Sequence, residues 1–249
     1  MTLRLKKQKT TIQVPEVRQE YKMHSLPSVF LMEAMLSDEM VNDLNEYLDD
    51  LLNQEDRVSH AGTLVGQIGN GEQLTMDHNH PKLAKFNELI QIMGADYIKN
   101  FAGTTVNPFK ENRLVETDEL WSVHSFAGDY NPIHDHGTKT IMGVSCTCWT
   151  KVPQQILDQP TSGTSEYGLY NSSGHSDGCI TFQYGQGSLM DTERLRPPQM
   201  VIMKPEVGKF FMFPSWLQHS VYPFKGDGER RTVAANLNVW RIADDGTKH

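Results

Sequence analysis

Two histidines, His134 and His136, are separated by one residue, and a third, His219, lies far along the chain after a Pro-containing turn. In a β-strand, residues i and i+2 point to the same side, so His134 and His136 can face one cavity. A later antiparallel strand can bring His219 opposite this pair. Three imidazoles around one metal ion leave positions open for a substrate and oxygen, as a catalytic non-haem iron requires. The sequence therefore predicts a metal site at these three histidines.

A His-x-His pair alone is weak evidence, because the chain has a second one at His78 and His80. That pair directly precedes a proline and a predicted helix, so we interpret it as a polar loop in which His80 caps the helix. The first pair differs because a distal histidine and a basic strand follow it.

The last predicted strand, about residues 231–240, has two different faces. When the alternation is counted from Arg230, one face carries Arg230, Thr232 and two asparagines. The other face begins with Arg231 and is apolar after it. A guanidinium buried on the first face is costly unless an anion meets it. A dicarboxylate would serve, with Arg230 forming a bidentate pair and Thr232 adding a hydroxyl donor. Arg231 is the less favoured anchor, because it shares its face with apolar residues.

The order of these motifs resembles that of the 2-oxoglutarate/Fe(II) oxygenases. The pair His134-x-His136 is followed by the stretch 205–219, which ends Phe-Pro-Ser-Trp-Leu-Gln-His, and then by Glu-Arg-Arg-Thr at 229–232. The chain is most similar to the prolyl-hydroxylase-like oxygenases of phages and marine bacteria, over about residues 118–241.

The resemblance implies a double-stranded β-helix, which is a jelly-roll or cupin-like barrel, with supporting N-terminal helices. It implies that His134, His136 and His219 bind Fe(II), with no catalytic residue beyond the metal site. It also implies that Arg230 and Thr232 hold the far carboxylate of 2-oxoglutarate. With O2, these cofactors would hydroxylate a C–H bond, and a proline in a peptide or protein is the suggested substrate.

The chain departs from this family at the second ligand, where most members have His-x-Asp or His-x-Glu. If His136 is the ligand, the protein contributes no negative charge to the metal, which should change iron affinity and reactivity. If the strand is bulged, Asp135 could instead be the ligand. The sequence leaves both options open.

Two other classes of protein also remain open. A cupin-type metalloenzyme that does not use 2-oxoglutarate would share the barrel and the His-rich site. The Glu expected a few residues after His136 is absent, however, since Thr140 and Ile141 stand there. In a non-enzymatic β-sandwich binding module the histidines would be incidental. Succinate release from 2-oxoglutarate with Fe(II) distinguishes these classes from an oxygenase.

The elements that must position these residues fall into two parts. Ser37 can cap a helix over about 37–53, and a second helix begins near Pro81. From about residue 118, short segments rich in Val, Ile, Phe, Trp and Thr predict an antiparallel sandwich or barrel within an α+β fold. We predict one oxygenase domain over residues 1–249, divided into an extended leader at 1–27, mainly helical support at 28–117, the double-stranded β-helix core at 118–241 and a polar tail at 242–249.

Composition limits the other possibilities. The net charge of −8 argues against general nucleic-acid binding. The apolar runs are far shorter than a membrane span, and no apolar signal core follows the N-terminus. The three cysteines, Cys146, Cys148 and Cys179, form no disulfide framework, so we expect buried thiols in a cytoplasmic protein. A glycine- and serine-rich loop at 154–177 is interpreted as a lid.

Overall fold

The computed structural model describes residues 9–10, 21–26, 29–64, 66–102, 112–159, 176–185 and 199–249. Its helices within these ranges are α1 (Asp38–Leu52), α2 (Ala84–Ala102) and α3 (Gln154–Leu157). Its strands are β1 (Lys9–Thr10), β2 (Tyr21–Leu26), β3 (Val29–Met35), β4 (Glu72–Thr75), β5 (Asn112–Ser125), β6 (Asn131–His134), β7 (Gly143–Lys151), β8 (Ile180–Gln183), β9 (Met200–Met203), β10 (Lys209–Pro214), β11 (Gln218–Val221) and β12 (Arg230–Ile242).

These strands form two antiparallel sheets. The major sheet has the order β1-β2-β3-β10-β7-β12-β5-β4, and the minor sheet has the order β6-β11-β8-β9. Strands distant in sequence are neighbours in both sheets, as a barrel of Greek-key type requires. With helices packed outside, this is the α+β double-stranded β-helix that the sequence predicted.

A small apolar core lies between the two sheets. Phe182 and Ile180 of the minor sheet pack with Phe211, Phe213 and Trp149 of the major sheet, and all five side chains are buried. The Phe182 and Phe213 rings meet edge-on, with centroids 4.9 Å apart. This core occupies one part of the space between the sheets and leaves a cavity in the rest.

A larger core lies between the outer face of the major sheet and the helices. Leu89 and Met93 of α2 pack with Val233, Ala235 and Leu237 of β12. These three β12 residues alternate with the residues that face the cavity, as the strand period of two requires. The outer face of β12 is therefore apolar beyond its first residue, as predicted.

Helix α1 begins where the sequence predicted. The hydroxyl of Ser37 accepts a hydrogen bond from the backbone N–H of Met40 at 3.1 Å, and Asp38 and Glu39 occupy the first turn. This is an N-cap with acidic residues at the positive end of the helix dipole. The ring of His80 likewise accepts from the backbone N–H of Lys82 at 3.2 Å, just before α2, which confirms its predicted capping role.

Several strands lie outside the predicted segments. Strand β3 occupies a central position between β2 and β10, and residues 21–26 of the predicted leader form β2. Strand β5 begins at Asn112, before the strand-rich region that the sequence predicted from about residue 118. Strand β3 pairs with β10 and the added residues of β5 pair with β12, both distant in sequence, which local patterns do not reveal. Strand β2 pairs with the adjacent β3.

The predicted loop at 154–177 begins with the short helix α3. Its middle part, 160–175, lies outside the described residues, so the lid remains a prediction. Of the helices within the described residues, none has the length and hydrophobicity needed to cross a membrane.

The three cysteines are buried free thiols, as predicted. Cys146 and Cys148 lie in β7, where burial raises the pKa of the Cys148 thiol to about 12. Burial also raises the pKa of Cys179, to about 11. Thiols with such pKa values remain protonated at neutral pH and do not act as metal ligands without losing a proton.

Candidate metal centre

Two neighbouring strands of the minor sheet bring the three histidines together. His134 ends β6 and lies directly opposite His219 of β11 in the antiparallel pairing. His136 follows two residues after His134, and its backbone N–H donates to the carbonyl of Ser215 at 2.9 Å. That bond ties the segment after β6 to the turn before β11. The three residues that the sequence selected therefore meet at one place.

The three imidazole rings surround a common point. The ring centroids of His134 and His219 are 4.3 Å apart, those of His136 and His219 are 4.9 Å apart, and those of His134 and His136 are 5.1 Å apart. One nitrogen from each ring lies within 4.8 Å of those from the other two. Ligand nitrogens at about 2 Å from one metal ion have separations in this range. Among the described residues no other group of His, Cys, Asp and Glu meets this criterion.

Backbone carbonyls orient two of the rings. Nδ1 of His134 lies 2.7 Å from the carbonyl oxygen of Pro132, and Nδ1 of His219 lies 2.9 Å from that of Leu217. A carbonyl only accepts, so each Nδ1 carries the hydrogen and donates it. Nε2 of each ring then keeps its lone pair, and Nε2 of His219 lies 3.2 Å from Nε2 of His136. Such a carbonyl partner is the usual orienting contact of a metal-binding histidine.

The surroundings keep the rings of His136 and His219 neutral. Burial, and then the neighbouring His219 and His134, lower the pKa of His136 to about 3. Burial, and then His134, lower the pKa of His219 to about 4, although the carbonyl of Leu217 acts in the opposite direction. Neutral imidazoles are the form that binds metal ions.

The structure separates His136 from the alternative second ligand. The side chain of Asp135 is exposed and is not part of the histidine cluster. The alternation of side chains along this segment directs Asp135 away from the cavity, and His136 toward it. The pair His78 and His80 is also outside the cluster, in the loop before α2.

The histidines line a cavity of about 490 Å³ between the two sheets. This volume is within the range of small-molecule sites. Its other lining residues include Glu119, Trp121, Arg230, Thr232 and Asn236.

Arg230 is buried at one end of this cavity. Its Nη1 donates to the carbonyl oxygens of Gly178 and Tyr222, each at 3.0 Å, and its Cζ lies 5.5 Å from the centre of the Phe224 ring. Its Nε is buried and has no hydrogen-bond partner among the described residues. Burial lowers the pKa of Arg230 to about 10. A charged guanidinium with an unused buried N–H favours the binding of an anion.

The neighbouring residues of β12 divide as the alternation predicts. Thr232 is half-buried and lines the cavity with Arg230. Arg231 points to the opposite face, where its Nε donates to Glu229 at 2.8 Å and its Nη1 donates to Asp49 at 2.7 Å. Glu229 also binds Nδ1 of the buried His124 at 2.6 Å. Arg231 is therefore already paired with carboxylates, whereas the hydrogen-bond partners of Arg230 are carbonyls and the buried Asp129 acts on it only through space.

Two cavity residues of β5 were missed from the sequence. The Trp121 ring centroid lies 5.3 Å from that of His136, and Glu119 lines the cavity on the same face of the strand. The spacing of two residues from 119 to 125 was the available signal, but nothing in the sequence identified which face of β5 is internal.

Known proteins share both the sequence pattern and the fold. Residues 119–236 match the family described as "Putative 2OG-Fe(II) oxygenase". No curated protein sequence gives a significant match to the chain.

Solved structures with a similar fold include a Pseudomonas putida prolyl-4-hydroxylase, at 12% identity and a TM-score of 0.51, with 84% of this chain and 91% of that chain covered. The α-ketoglutarate-dependent epimerase SnoN from nogalamycin biosynthesis is 13% identical, with a TM-score of 0.53 and coverage of 85% and 80%. HygX from Streptomyces hygroscopicus, crystallised with nickel, 2-oxoglutarate and hygromycin B, is 10% identical, with a TM-score of 0.50 and coverage of 87% and 89%. At these identities the likeness establishes the fold.

The family match, in contrast, identifies the chemistry. Members of this family use Fe(II), 2-oxoglutarate and O2, and the matched region spans both the histidine cluster and Arg230. This match argues against the two alternatives, a cupin that does not use 2-oxoglutarate and a non-enzymatic binding module. Residues 119–236 are thus a 2-oxoglutarate-dependent Fe(II) oxygenase domain.

Proposed function

We propose that His134, His136 and His219 hold the Fe(II), that Arg230 and Thr232 anchor the far carboxylate of 2-oxoglutarate, and that the enzyme hydroxylates a C–H bond. The overall reaction is R–H + 2-oxoglutarate + O2 → R–OH + succinate + CO2. Bound Fe(II) would supply the oxygen-activating chemistry, whereas the protein supplies the geometry of the ligands and a cavity for the substrate.

The metal assignment is supported by the state of the rings. Two of the three imidazoles direct an unprotonated Nε2 away from their carbonyl partners, and the pKa values of His136 and His219 keep them neutral at physiological pH. The charge of the metal is then not opposed by a protonated ligand.

The buried Nε of Arg230 is the observation that carries the anchor assignment. This side chain is enclosed at the end of the same cavity as the histidines, and its known partners are neutral carbonyls. A carboxylate would use the unpaired N–H and neutralise the guanidinium. Thr232 lines the cavity on the same face of β12, and its hydroxyl would donate a second hydrogen bond.

The substrate proposal is a proline in a peptide or protein. Its support is the resemblance to prolyl-hydroxylase-like oxygenases and the shared fold of the bacterial prolyl-4-hydroxylase. The same fold is used by an epimerase, however, so the fold alone does not select proline.

The test is succinate release by the wild-type chain supplied with Fe(II), 2-oxoglutarate and O2, first alone and then with proline-containing peptides. We expect slow succinate release alone, and faster release together with a peptide that gains one oxygen atom. In anaerobic samples, the visible absorption of the Fe(II)–2-oxoglutarate chelate should titrate at much lower 2-oxoglutarate in wild type than in Arg230→Met. The matched control is Arg241→Met, an exposed position near the end of the same strand.

Each part of the proposal can fail separately. If Arg230→Met binds 2-oxoglutarate as tightly as wild type does, the assignment of Arg230 as the carboxylate anchor is contradicted. Full metal binding after loss of His219 would contradict the ligand set. Stimulation by a substrate without proline would contradict the peptidyl-proline assignment while leaving the rest.

A further inference from the structure

The reaction cavity has two chemically different ends, which β12 connects. The inward-facing residues of this strand are Arg230, Thr232, Ala234 and Asn236. At about 3.3 Å per residue, Arg230 and Asn236 are separated by roughly 20 Å along the strand. Trp121 pairs with Ala234, and its ring lies beside His136, so the histidine cluster lies between the two ends. If the Arg230 end takes 2-oxoglutarate, as proposed above, the Asn236 end remains for the substrate.

The Asn236 end carries an ordered chain of polar groups. The hydroxyl of Ser145 donates to Oδ1 of Asn236 at 2.7 Å, and Nδ2 of Asn236 donates to Oε2 of Glu119 at 3.3 Å. Ser145 and Asn236 are buried. Glu119 itself is exposed, and this chain holds its carboxylate at the cavity, with the other carboxylate oxygen available to a ligand.

Glu119 differs from the neighbouring carboxylates of β5 in its charge partner. Glu116 binds the ammonium of Lys248 at 2.5 Å, and Asp118 binds that of Lys139 at 2.5 Å. Within the parts of the chain that the structure describes, no cation lies within ion-pair distance of Glu119. Lys139 is close enough for Glu119 to contribute to raising its pKa, but its ammonium bonds to Asp118. The negative charge of Glu119 is thus available at the cavity.

An aromatic ring lies on the same strand face as this carboxylate. Trp121 lies two residues along β5 and lines the same cavity as Glu119. A carboxylate beside an indole ring is a combination that binds ammonium or guanidinium groups, through an ion pair and a cation–π contact. Both residues also line a second cavity of about 950 Å³. A substrate too large for the reaction cavity could extend into this second cavity.

We propose that the substrate carries a cationic group, an ammonium or a guanidinium, which pairs with Glu119 at the Asn236 end of the cavity. This inference rests on the proposed function for the direction in which the cavity is used. It adds a charge requirement to the substrate: a peptide with lysine or arginine near the reacting residue, or an amine of similar length, satisfies it.

The test uses two probes of equal length, hexylammonium chloride and 1-hexanol, titrated calorimetrically into the anaerobic protein loaded with Fe(II) and 2-oxoglutarate. We expect wild type to bind the ammonium about fivefold more tightly than the alcohol, as a partly exposed ion pair gives. The preference should disappear in Glu119→Gln, remain in the matched control Glu116→Gln, and decrease with added salt.

The inference is overturned if wild type binds the two probes equally, if neither binds, or if Glu119→Gln keeps the preference. The proposed function is checked in the same samples by the Arg230-dependent binding of 2-oxoglutarate. Normal binding of 2-oxoglutarate without a preference for the ammonium would contradict the charge requirement and leave the proposed function intact. If the ammonium preference depends on Glu119 but 2-oxoglutarate does not bind, the cofactor assignment fails instead.

Discussion

Arg230 and Arg231 are adjacent in β12, yet their guanidinium groups lie on opposite faces of the major sheet. Arg231 forms ion pairs with Glu229 and Asp49 beside α1, whereas Arg230 is enclosed in the reaction cavity with carbonyl partners. Arg230, which has no protein counter-ion at hydrogen-bond distance among the described residues, is therefore the one of the two arginines that faces the histidines.

Replacing Arg230 with methionine should affect ligand binding and folding differently. Without ligand, we expect the free energy of unfolding to stay equal or to rise, because a buried, partly unpaired charge is removed. The affinity for 2-oxoglutarate should fall about thirtyfold, which corresponds to about 2 kcal/mol for charge-assisted hydrogen bonds. Thermal denaturation with and without 2-oxoglutarate measures both effects. A large loss of stability in the ligand-free variant would show that Arg230 is mainly structural.

Replacing His219 with alanine should abolish binding of one metal ion per chain. The control is His78→Ala, which removes a histidine of the pair outside the cluster. Calorimetric titration with Fe(II) under anaerobic conditions measures the stoichiometry. Retained stoichiometric binding in His219→Ala, or its loss in His78→Ala, would contradict the assigned centre.

Replacing His136 with aspartate tests the departure from the family pattern. The variant restores a carboxylate at the second ligand position, so we expect it to retain Fe(II) binding and to bind the ion more tightly. In Asp135→Asn, the exposed neighbour, binding should remain as in wild type. Loss of metal binding in Asp135→Asn would instead indicate that the strand rearranges to use Asp135.

The metal-free protein should lose stability as the pH falls below about 6.5. His136 and His219 have pKa values lowered to about 3 and about 4 in the folded chain, so between pH 4 and 6.5 the unfolded chain binds more protons than the folded one. Stability therefore rises with pH in that window, by roughly 1 kcal/mol per pH unit for each residue. Denaturation at several pH values measures the slope. A double alanine variant of these histidines should have a flatter profile; an unchanged slope would refute this explanation.

Replacing Glu229 with glutamine should destabilise the chain by about 2 kcal/mol. The carboxylate of Glu229 accepts hydrogen bonds from His124 and Arg231. Without this carboxylate, Asp49 is the one carboxylate among the described residues that still hydrogen-bonds to the buried guanidinium of Arg231. The control is Glu116→Gln, whose exposed pair with Lys248 should contribute within about 0.5 kcal/mol. Urea denaturation of both variants decides; equal effects would show that the buried pair is no stronger than the exposed one.

Local chemistry made much of the site predictable. The spacing of His134 and His136 within a strand, the distal His219 and the alternation around Arg230 all depend on the strand period, which can be counted in the sequence. The start of α1 was also predictable, because the hydroxyl of Ser37 accepts a hydrogen bond from a residue only three positions away.

Features that depend on distant pairing were not predictable. Strand β3 contains Met, Leu, Ala and Glu, which do not favour a strand, and it is fixed by pairing with β10 and β2. The face of β5 that carries Glu119 could not be identified as internal, because the strand is irregular. The register with β12 shifts between Asn236 and Leu237, so Val115 packs against the helices whereas Glu119, four residues later, faces the cavity. A bulge of this kind reverses the alternation at a point that composition does not mark.

The exposed position of Asp135 has a thermodynamic consequence for how the enzyme is loaded. On the proposed ligand set, three neutral imidazoles would contribute no negative charge, so a divalent ion held there would keep its full charge until an anionic ligand arrives. The dianion of 2-oxoglutarate can supply that charge. The two should bind cooperatively, and by linkage each must raise the affinity for the other by the same factor.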